Sequence, residues 1–299
     1  PDHKMVNVRN AQTVDTQIQD MLQNKEMLCV AQNIPDLLIS SEKDKKIAYL
    51  LGGIMTDGHI YRSKTHGEVQ FIQKNVPEKR DFINYMQECM TQVYNKSFTE
   101  SVKKVSSGFI RGKEVTGQAN AYRLYSKQIA YEFHEESQKI VKTLLEGSSE
   151  LSLNFLAGVI DGDGSFHNNR IQIYINKMNL LEGVIVACLK LGIVPQVTKN
   201  RNIHNVQIVE NLEEILKYTK RVKGTVKNRT IKTRFFSARQ ILDDDVKGDL
   251  KMRRDKNLYI SSEELAHMQD EHIKKLVDSD IRMQRVVQSS KATQGNVYN

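Results

Sequence analysis

Cysteine is scarce in this 299-residue sequence: Cys29, Cys89 and Cys188 stand in separate contexts. An odd number of cysteines without a CxxC pair indicates neither a disulfide framework nor a zinc site. The sequence also lacks a run of about 18 apolar residues, and its first residues do not combine a basic region with an apolar segment. We therefore expect an intracellular, non-secreted protein with reduced thiols that neither enters nor spans a membrane.

A long low-complexity tract is absent as well, and 39% of the residues are hydrophobic. This composition predicts a folded chain with two or three modest domains. Lys and Arg number 44 against 36 Asp and Glu, a net charge of +8 that is spread along the chain. Such a surplus favours a polyanionic partner, nucleic acid before membrane, although charge alone also fits a basic protein without one.

One pattern occurs twice. "YLLGGIMTDGH" (49–59) and "FLAGVIDGDGS" (155–165) are apolar, glycine-containing stretches that end in an acid followed by glycine. Glycine inside a helix costs about 1 kcal/mol relative to alanine, so Gly52, Gly53 and Gly158 need a reason. Close packing of the two helices would supply one and would bring Asp57 and Asp163 together at their ends.

Similar elements follow both copies, which predicts an α+β fold with two αββαββα repeats. Helices are expected from Pro77, over about 128–145, along the apolar positions between Leu180 and Leu191, and near 211–221. We predict an N-terminal flank at 1–40, a first repeat at 41–147, a second repeat at 148–222 and an accessory C-terminal segment at 223–299.

Two carboxylates held close together repel each other unless a cation lies between them. Carboxylate and carbonyl oxygens suit Mg²⁺, which retains positions for water and phosphate oxygens. Such a site can activate water for attack on a phosphodiester. The alternative for each copy alone is that Asp-Gly merely ends a helix in a turn.

The predicted strand "RIQIYIN" (170–176) alternates apolar and polar residues. Ile171, Ile173 and Ile175 form one face, while Arg170, Gln172 and Asn176 lie on the other. A polar strand face can hydrogen-bond base edges in the major groove, which is wide enough for a β-ribbon. An ordinary solvated sheet face is the alternative.

These stretches resemble the paired motif of the LAGLIDADG homing endonucleases in their single-chain, two-repeat form. "LAGVIDGDG" (156–164) matches closely, whereas "LLGGIMTDG" (50–58) has Met55 where the first acid usually stands. The resemblance covers roughly 44–222. It implies a monomer with internal pseudo-twofold symmetry that cleaves double-stranded DNA with Mg²⁺, or with Mn²⁺ in its place. It assigns catalysis and metal binding to Asp57 and Asp163, with the carbonyls of Thr56 and Gly162 as auxiliary ligands.

The family also tends to place a basic residue near the end of the fourth strand of each repeat. Lys127 matches in the first repeat, whereas Glu210 falls at this position in the second. Either another base such as Lys199 serves there, or the two strands are cut at unequal rates; Lys127 could also be an ordinary surface lysine. By the same resemblance, the strands predicted to read bases carry Gln70, Lys74, Arg123, Arg170, Gln172, Asn176 and Gln207.

The chain ends resemble parts of inteins. "PDHKMVNV" is similar to the motif that carries a splicing histidine, here His3, and "GNVYN" and "SDIRMQRV" are similar to late intein segments. This resemblance implies the endonuclease part of an intein with truncated splicing flanks; an unrelated strand pair is the alternative. Within 223–299, Ser237 with Gln240 and Ser261 with Glu264 have the spacing of capping boxes. "KGDLKMRRDK", with Arg253 and Arg254, is either a DNA-contacting segment or a solvated surface.

The leading hypothesis is therefore a site-specific, metal-dependent DNA endonuclease that acts at a long target site. The alternative is a nucleic-acid-binding protein of the same fold that does not cleave, such as an RNA-splicing maturase or a decayed nuclease. A self-splicing element is a third hypothesis, which the unrecognisable splice junctions disfavour.

Overall fold

The computed structural model describes residues 4–24, 26–31, 33–102, 106–110, 113–227, 234–256 and 258–284. The chain folds as two compact units. The repeat unit comprises residues 33–228, and the flank unit combines residues 1–32 with 229–299. None of the helices in these described ranges has the length and apolarity needed to cross a lipid bilayer.

Sixteen strands and eleven helices follow one another along the described residues. The N-terminal part of the flank unit contains β1 (Lys4–Arg9), β2 (Gln12–Gln17), α1 (Ile18–Gln23) and β3 (Leu28–Ala31). The first repeat contains α2 (Glu42–Asp57), β4 (Gly58–Arg62), β5 (Gly67–Gln73), α3 (Pro77–Tyr94), β6 (Thr99–Val102), β7 (Ser106–Ile110), β8 (Lys113–Gly117), β9 (Asn120–Tyr125) and α4 (Lys127–Glu146). The second repeat contains α5 (Ser149–Asp163), β10 (Gly164–His167), β11 (Arg170–Ile175), α6 (Met178–Lys190), β12 (Gln196–Asn200), β13 (Ile203–Ile208) and α7 (Leu212–Tyr218). The flank unit resumes with β14 (Phe235–Ser237), α8 (Ala238–Ile241), α9 (Gly248–Asp255), β15 (Tyr259–Ser261), α10 (Ser262–Ala266), α11 (Glu271–Asp278) and β16 (Ile281–Gln284).

Each repeat forms a four-stranded antiparallel sheet of the same topology. The strand orders are β4-β5-β9-β6 and β10-β11-β13-β12. The predicted α+β fold with two αββαββα repeats is confirmed. Sequence analysis missed strand β10 and the separate β7-β8 ribbon, and it extended α7 beyond its observed end at Tyr218.

Helices α2 and α5 pack side by side through glycines. A Cβ at Gly52 would lie 2.8 Å from the Val159 amide nitrogen of the opposite helix. A Cβ at Gly158 would collide with the Tyr49 carbonyl oxygen and lie 3.1 Å from the Gly53 amide nitrogen. Only residues without a side chain allow such contact, so the predicted close packing holds for Gly52 and Gly158. Gly53 instead faces the side chains of α3.

Capping fixes where the two helices begin. Ser41 forms a capping box with Asp44 at the start of α2, and the Ser148 side chain accepts a hydrogen bond from the Leu151 amide at the start of α5. The middle and end of α5 are buried almost throughout, including Phe155, as expected for a helix at the centre of a core. The two helix ends are thereby held beside each other.

The flank unit joins segments far apart in sequence. Strand β3 pairs with β16, and β14 pairs with β15. Ser261 and Glu264 form the predicted capping box. The capping box predicted for Ser237 is wrong, since its side chain makes no capping hydrogen bond at the start of α8. Gln240 is buried, and its side-chain oxygen accepts a 2.8 Å hydrogen bond from the Met27 amide. His3 and the segment "GNVYN" lie outside the described residues.

Candidate active site

Asp57 ends α2 and Asp163 ends α5, and each is followed at once by a strand. Both aspartates face solvent at the open end of the helix pair. Partial burial raises the pKa of both, and the charge of Asp57 raises the pKa of Asp163 further. The structure thus brings together the two carboxylates that the sequence pattern selects.

Gln73 connects the two helix ends, and sequence analysis missed it. Its amide donates to a carboxylate oxygen of Asp57 at 2.8 Å and to the Gly162 carbonyl at 3.4 Å. It is buried at the end of β5, on the same face as Val69 and Phe71. A polar residue in an otherwise apolar strand register is the signal that could have identified it.

Three cations surround the aspartates. Lys79, from the first turn of α3, and Arg221, beyond α7, both act electrostatically on Asp57 and Asp163, while Lys177 acts on Asp57. Burial lowers the pKa of all three groups. The Lys177 ammonium donates to the Met55 carbonyl at 2.8 Å. No sequence spacing reveals this set, because tertiary packing assembles it from separate elements.

The structure does not bring Lys127 to this site. Asn120 begins β9 opposite Gln73, whereas Lys127 begins α4 beyond the other end of that strand. At about 3.3 Å per residue, the separation along the strand is roughly 20 Å. Its exposed side chain lies with its ammonium 5.9 Å from the centre of the Tyr131 ring. Among the described residues, neither Lys127 nor Lys199 is one of the charges with the largest effects on the pKa of the two aspartates.

A polar surface covers one face of the second sheet. In β11 and β13, Arg170 donates to the Gln207 side chain at 3.1 Å, and Gln172 donates to the Asn205 side chain at 3.0 Å. Gln172 also lies opposite Gln207 in the strand register. Asn176 is exposed just beyond the end of β11. These side chains therefore form one surface of donors and acceptors.

The first sheet has a matching surface with more charge. Gln70 lies opposite Arg123, whose guanidinium donates to the Gln70 side-chain oxygen at 3.3 Å. The same guanidinium pairs with Glu68 at 3.3 Å. Lys74 is exposed immediately after β5. Arg123 is therefore shared between Gln70 and Glu68 on this face of the sheet.

Arg253 and Arg254 already have carboxylate partners. Arg253 pairs with Asp249 and Glu264, each at 2.9 Å. Arg254 pairs with Asp244 and donates to the Leu242 carbonyl at 3.0 Å. The two arginines of the basic run are thus paired with acids of the flank unit, which weakens their interpretation as phosphate-binding residues.

The fold and the site define a class of two-repeat α+β proteins with paired, acid-ended helices. Residues 150–223 match the LAGLIDADG-like domain family. The chain is also 29% identical over 230 residues to a protein of Methanocaldococcus jannaschii named probable phosphoenolpyruvate synthase. That match covers 75% of this chain but only 18% of the relative's length.

Solved structures with similar folds include LAGLIDADG proteins. Variants of the homing endonuclease I-DmoI align with a TM-score of 0.43 and 21% identity over 60% of this chain and 94% of theirs. I-DmoI in complex with DNA and Mn aligns with a TM-score of 0.43 and 20% identity over 62% of this chain and 100% of its own. The N-terminal LAGLIDADG domain of DUF199/WhiA gives 0.38 and 14% identity over 62% of this chain and 86% of its own.

Proposed function

We propose that this chain is a site-specific, divalent-metal-dependent endonuclease of double-stranded DNA, acting as a monomer. The observation that carries the proposal is the convergence of Asp57 and Asp163 at the ends of two closely packed helices. Two carboxylates that raise each other's energy, open to solvent and ringed by cations, suit a reaction on a polyanion.

The donors at this site fit a hard cation. A carboxylate oxygen of Asp57 and the Gly162 carbonyl oxygen both accept from the Gln73 amide, so these two oxygens converge on the same side-chain nitrogen. Within the described ranges, no group of three His, Cys, Asp or Glu residues could hold a metal. Mg²⁺ is commonly bound through only one or two carboxylates and keeps several water ligands. Mg²⁺ or Mn²⁺ held by Asp57 and Asp163 would make a bound water nucleophilic at neutral pH and would stabilise the negative charge on the leaving oxygen.

The remaining residues have roles that follow from their charge and place. Lys79, Lys177 and Arg221 would offset the negative charge of the DNA backbone where it meets the aspartates. Gln73 would orient Asp57. On the sheets, Gln70, Arg123, Arg170, Gln172 and Gln207 would meet base edges, because they present paired donors and acceptors on open strand faces.

The test is cleavage of a random-sequence plasmid library with Mg²⁺, Mn²⁺ or Ca²⁺, followed by sequencing of the cut ends. We expect one long recognition sequence to be cut in both strands with Mg²⁺ or Mn²⁺. Binding of a defined sequence without cutting in any metal would instead support the non-cleaving alternative. Absence of sequence-selective binding would contradict both.

We also infer that the chain derives from an intein. In support, the flank unit combines residues from both sides of the repeat unit, and the matched stretch is a small fraction of a relative named for a different activity. Expression of that relative, followed by mass determination of the product, provides the test. We expect a product shortened by the matched stretch; an unshortened product would contradict the inference.

A further inference from the structure

The buried carboxylate of Asp161 is not part of the proposed reaction, yet it has four hydrogen-bond donors. Asp161 is 0% exposed on the last turn of α5. It accepts from the Lys220 amide at 2.6 Å, the Arg221 amide at 2.9 Å and the Val222 amide at 3.0 Å. The Tyr49 hydroxyl of α2 donates to it at 2.6 Å. Three consecutive amides on one carboxylate fix a backbone turn.

The turn at 219–222 is closed from its other side as well. The Thr219 hydroxyl lies 2.6 Å from the Val222 carbonyl and 3.0 Å from the Leu216 carbonyl. Both of its ends are therefore tied, one to α5 through Asp161 and one to α7 through Thr219. A segment without helix or strand structure thereby has a defined backbone position.

This turn places the Arg221 guanidinium at the C-terminus of α5. It donates to the Ile160 and Gly164 carbonyls, each at 2.7 Å, and to the Asp161 carbonyl. A cation at a helix C-terminus compensates the partial negative charge of the free carbonyls. Arg221 also acts on Asp163 and Asp57. The guanidinium therefore offsets the charge of the helix end that carries Asp163.

The first helix lacks this arrangement. Met55 occupies the position in α2 that Asp161 occupies in α5, and its carbonyl accepts from Lys177, not from an arginine. Each motif helix thus has a cation on the carbonyl two residues before its aspartate. Only the cation at α5 is held by a buried carboxylate that fixes its backbone.

We propose that Asp161 is a positioning residue, which fixes the 219–222 turn so that Arg221 remains at the end of α5 beside Asp163. This role rests on the proposed endonuclease function for its effect on cleavage, but the positioning itself does not. Because Asp161 is fully buried, its effect on the reaction would pass through Arg221 and not through contact with DNA.

Hydrogen–deuterium exchange tests the positioning directly. In Asp161→Asn, the amides of 220–222 should exchange at least about tenfold faster than in the unchanged protein. Tyr49→Phe is the matched control, because it removes one donor to the same carboxylate and keeps the three hydrogen bonds from the backbone amides. In this variant the amides of 220–222 should remain protected from exchange. Unchanged protection in Asp161→Asn would overturn the proposal, whether or not the protein cleaves DNA.

Kinetics then connects positioning to the reaction. Asp161→Asn should lower kcat at least about tenfold while its Kd for DNA in Ca²⁺ stays within about threefold. The double variant Asp161→Asn with Arg221→Met should be no slower than Arg221→Met alone, because both substitutions remove one effect. Losses that multiply would overturn the proposal. If the unchanged protein cleaves no DNA, the proposed function fails and the exchange result alone decides the positioning role.

A second variant covers the case that Asp161→Asn does not fold. Thr219→Val removes the hydroxyl that closes the same turn and keeps Asp161 in place. Exchange at 220–222 should rise and kcat should fall, both less than for Asp161→Asn. Protected amides together with unchanged kcat in Thr219→Val would overturn the proposal.

Discussion

The two repeats share the parts that bring their aspartates together and differ in the parts that surround them. Both have the same strand order, and both end their motif helix in an aspartate before a strand. The first repeat adds the β7-β8 ribbon and a long α4, whereas the second has a short α7 followed by the turn that holds Arg221. Backbone symmetry is thus kept where the helices touch and lost in the ribbon and in the last helix of each repeat.

The cations show the same asymmetry. Lys79 comes from the first repeat, while Lys177 and Arg221 come from the second. Lys177 donates to the Met55 carbonyl, so a residue of the second repeat covers the helix end of the first. The two carboxylates lie at equivalent helix ends, but the positive charges around them differ. Substitutions at equivalent positions of the two repeats should separate these contributions.

The largest expected effect concerns the carboxylates themselves. Asp57→Asn and Asp163→Asn should each slow double-strand cleavage by about 1,000-fold, because a metal ligand contributes several kcal/mol to the transition state. Binding to DNA in Ca²⁺ should stay nearly unchanged. Gel-based cleavage and binding assays measure both. Full cutting by either variant would remove that aspartate from the reaction.

The second prediction concerns the helix contact that both repeats share. Gly52→Ala and Gly158→Ala should each destabilise the fold by about 3 kcal/mol, because the added methyl group meets backbone atoms that cannot move aside. Gly108→Ala is the control, since a Cβ there has no atom within 4 Å. Chemical denaturation measures the free energy of unfolding. Tolerance at only one of the two helix glycines would show that the contact is less symmetric than its geometry.

The third prediction separates the lysine beside the aspartates from the lysine selected by resemblance. Lys79→Ala should slow cleavage by about 10- to 100-fold, through loss of positive charge near the developing phosphate charge. Lys127→Ala should change the rate by less than about twofold, because Lys127 lies beyond the far end of β9. Single-turnover rates provide the measurement. The reverse order of effects would restore the assignment made from sequence.

How far sequence reasoning reached follows from what each residue depends on. Asp57 and Asp163 could be selected because the motif places them at equivalent ends of two glycine-containing helices. Gln73 had only one signal, its polar character in an otherwise apolar strand register. Lys79 and Arg221 had none, because they approach from α3 and the turn beyond α7 only once the chain is packed. The repeat topology followed from hydrophobic periodicity, whereas the short β7-β8 ribbon has too few residues for a clear period.

The fourth prediction concerns the ribbon that only the first repeat has. Its region, 103–117, carries Lys103, Lys104, Arg111 and Lys113 against Glu114, while the second repeat connects β12 to β13 through Arg201 and Asn202 alone. Replacing 103–118 with Arg-Asn should weaken DNA binding by about tenfold and flatten its salt dependence by up to about three units. The stretch of DNA that the protein protects in a footprinting assay should become shorter on one side only. Equal footprints would show that the ribbon does not meet DNA.

The smallest expected effect is on stability without metal. Partial burial raises the pKa of Asp163 above its ordinary value of 3.8, and the negative charge of Asp57 raises it further. Because the pKa of Asp163 is higher in the folded than in the unfolded chain, its protonated form stabilises the fold. This contribution to the free energy of unfolding is complete below about pH 3.8 and is lost as the pH rises through the folded-state pKa. Asp163→Asn, which cannot ionise, should therefore unfold at a slightly higher temperature than the unchanged protein at pH 7.

The difference should be small, because both aspartates are exposed and their charges are screened by solvent. It should shrink as the pH falls towards 4, where Asp163 takes up a proton. Added Mg²⁺ should raise the Tm of the unchanged protein more than that of the variant, since the cation relieves the same repulsion. Calorimetric scans at pH 7 and pH 4, with and without Mg²⁺, measure both. A variant that is less stable at pH 7 would mean that the cations around Asp163 outweigh its repulsion from Asp57.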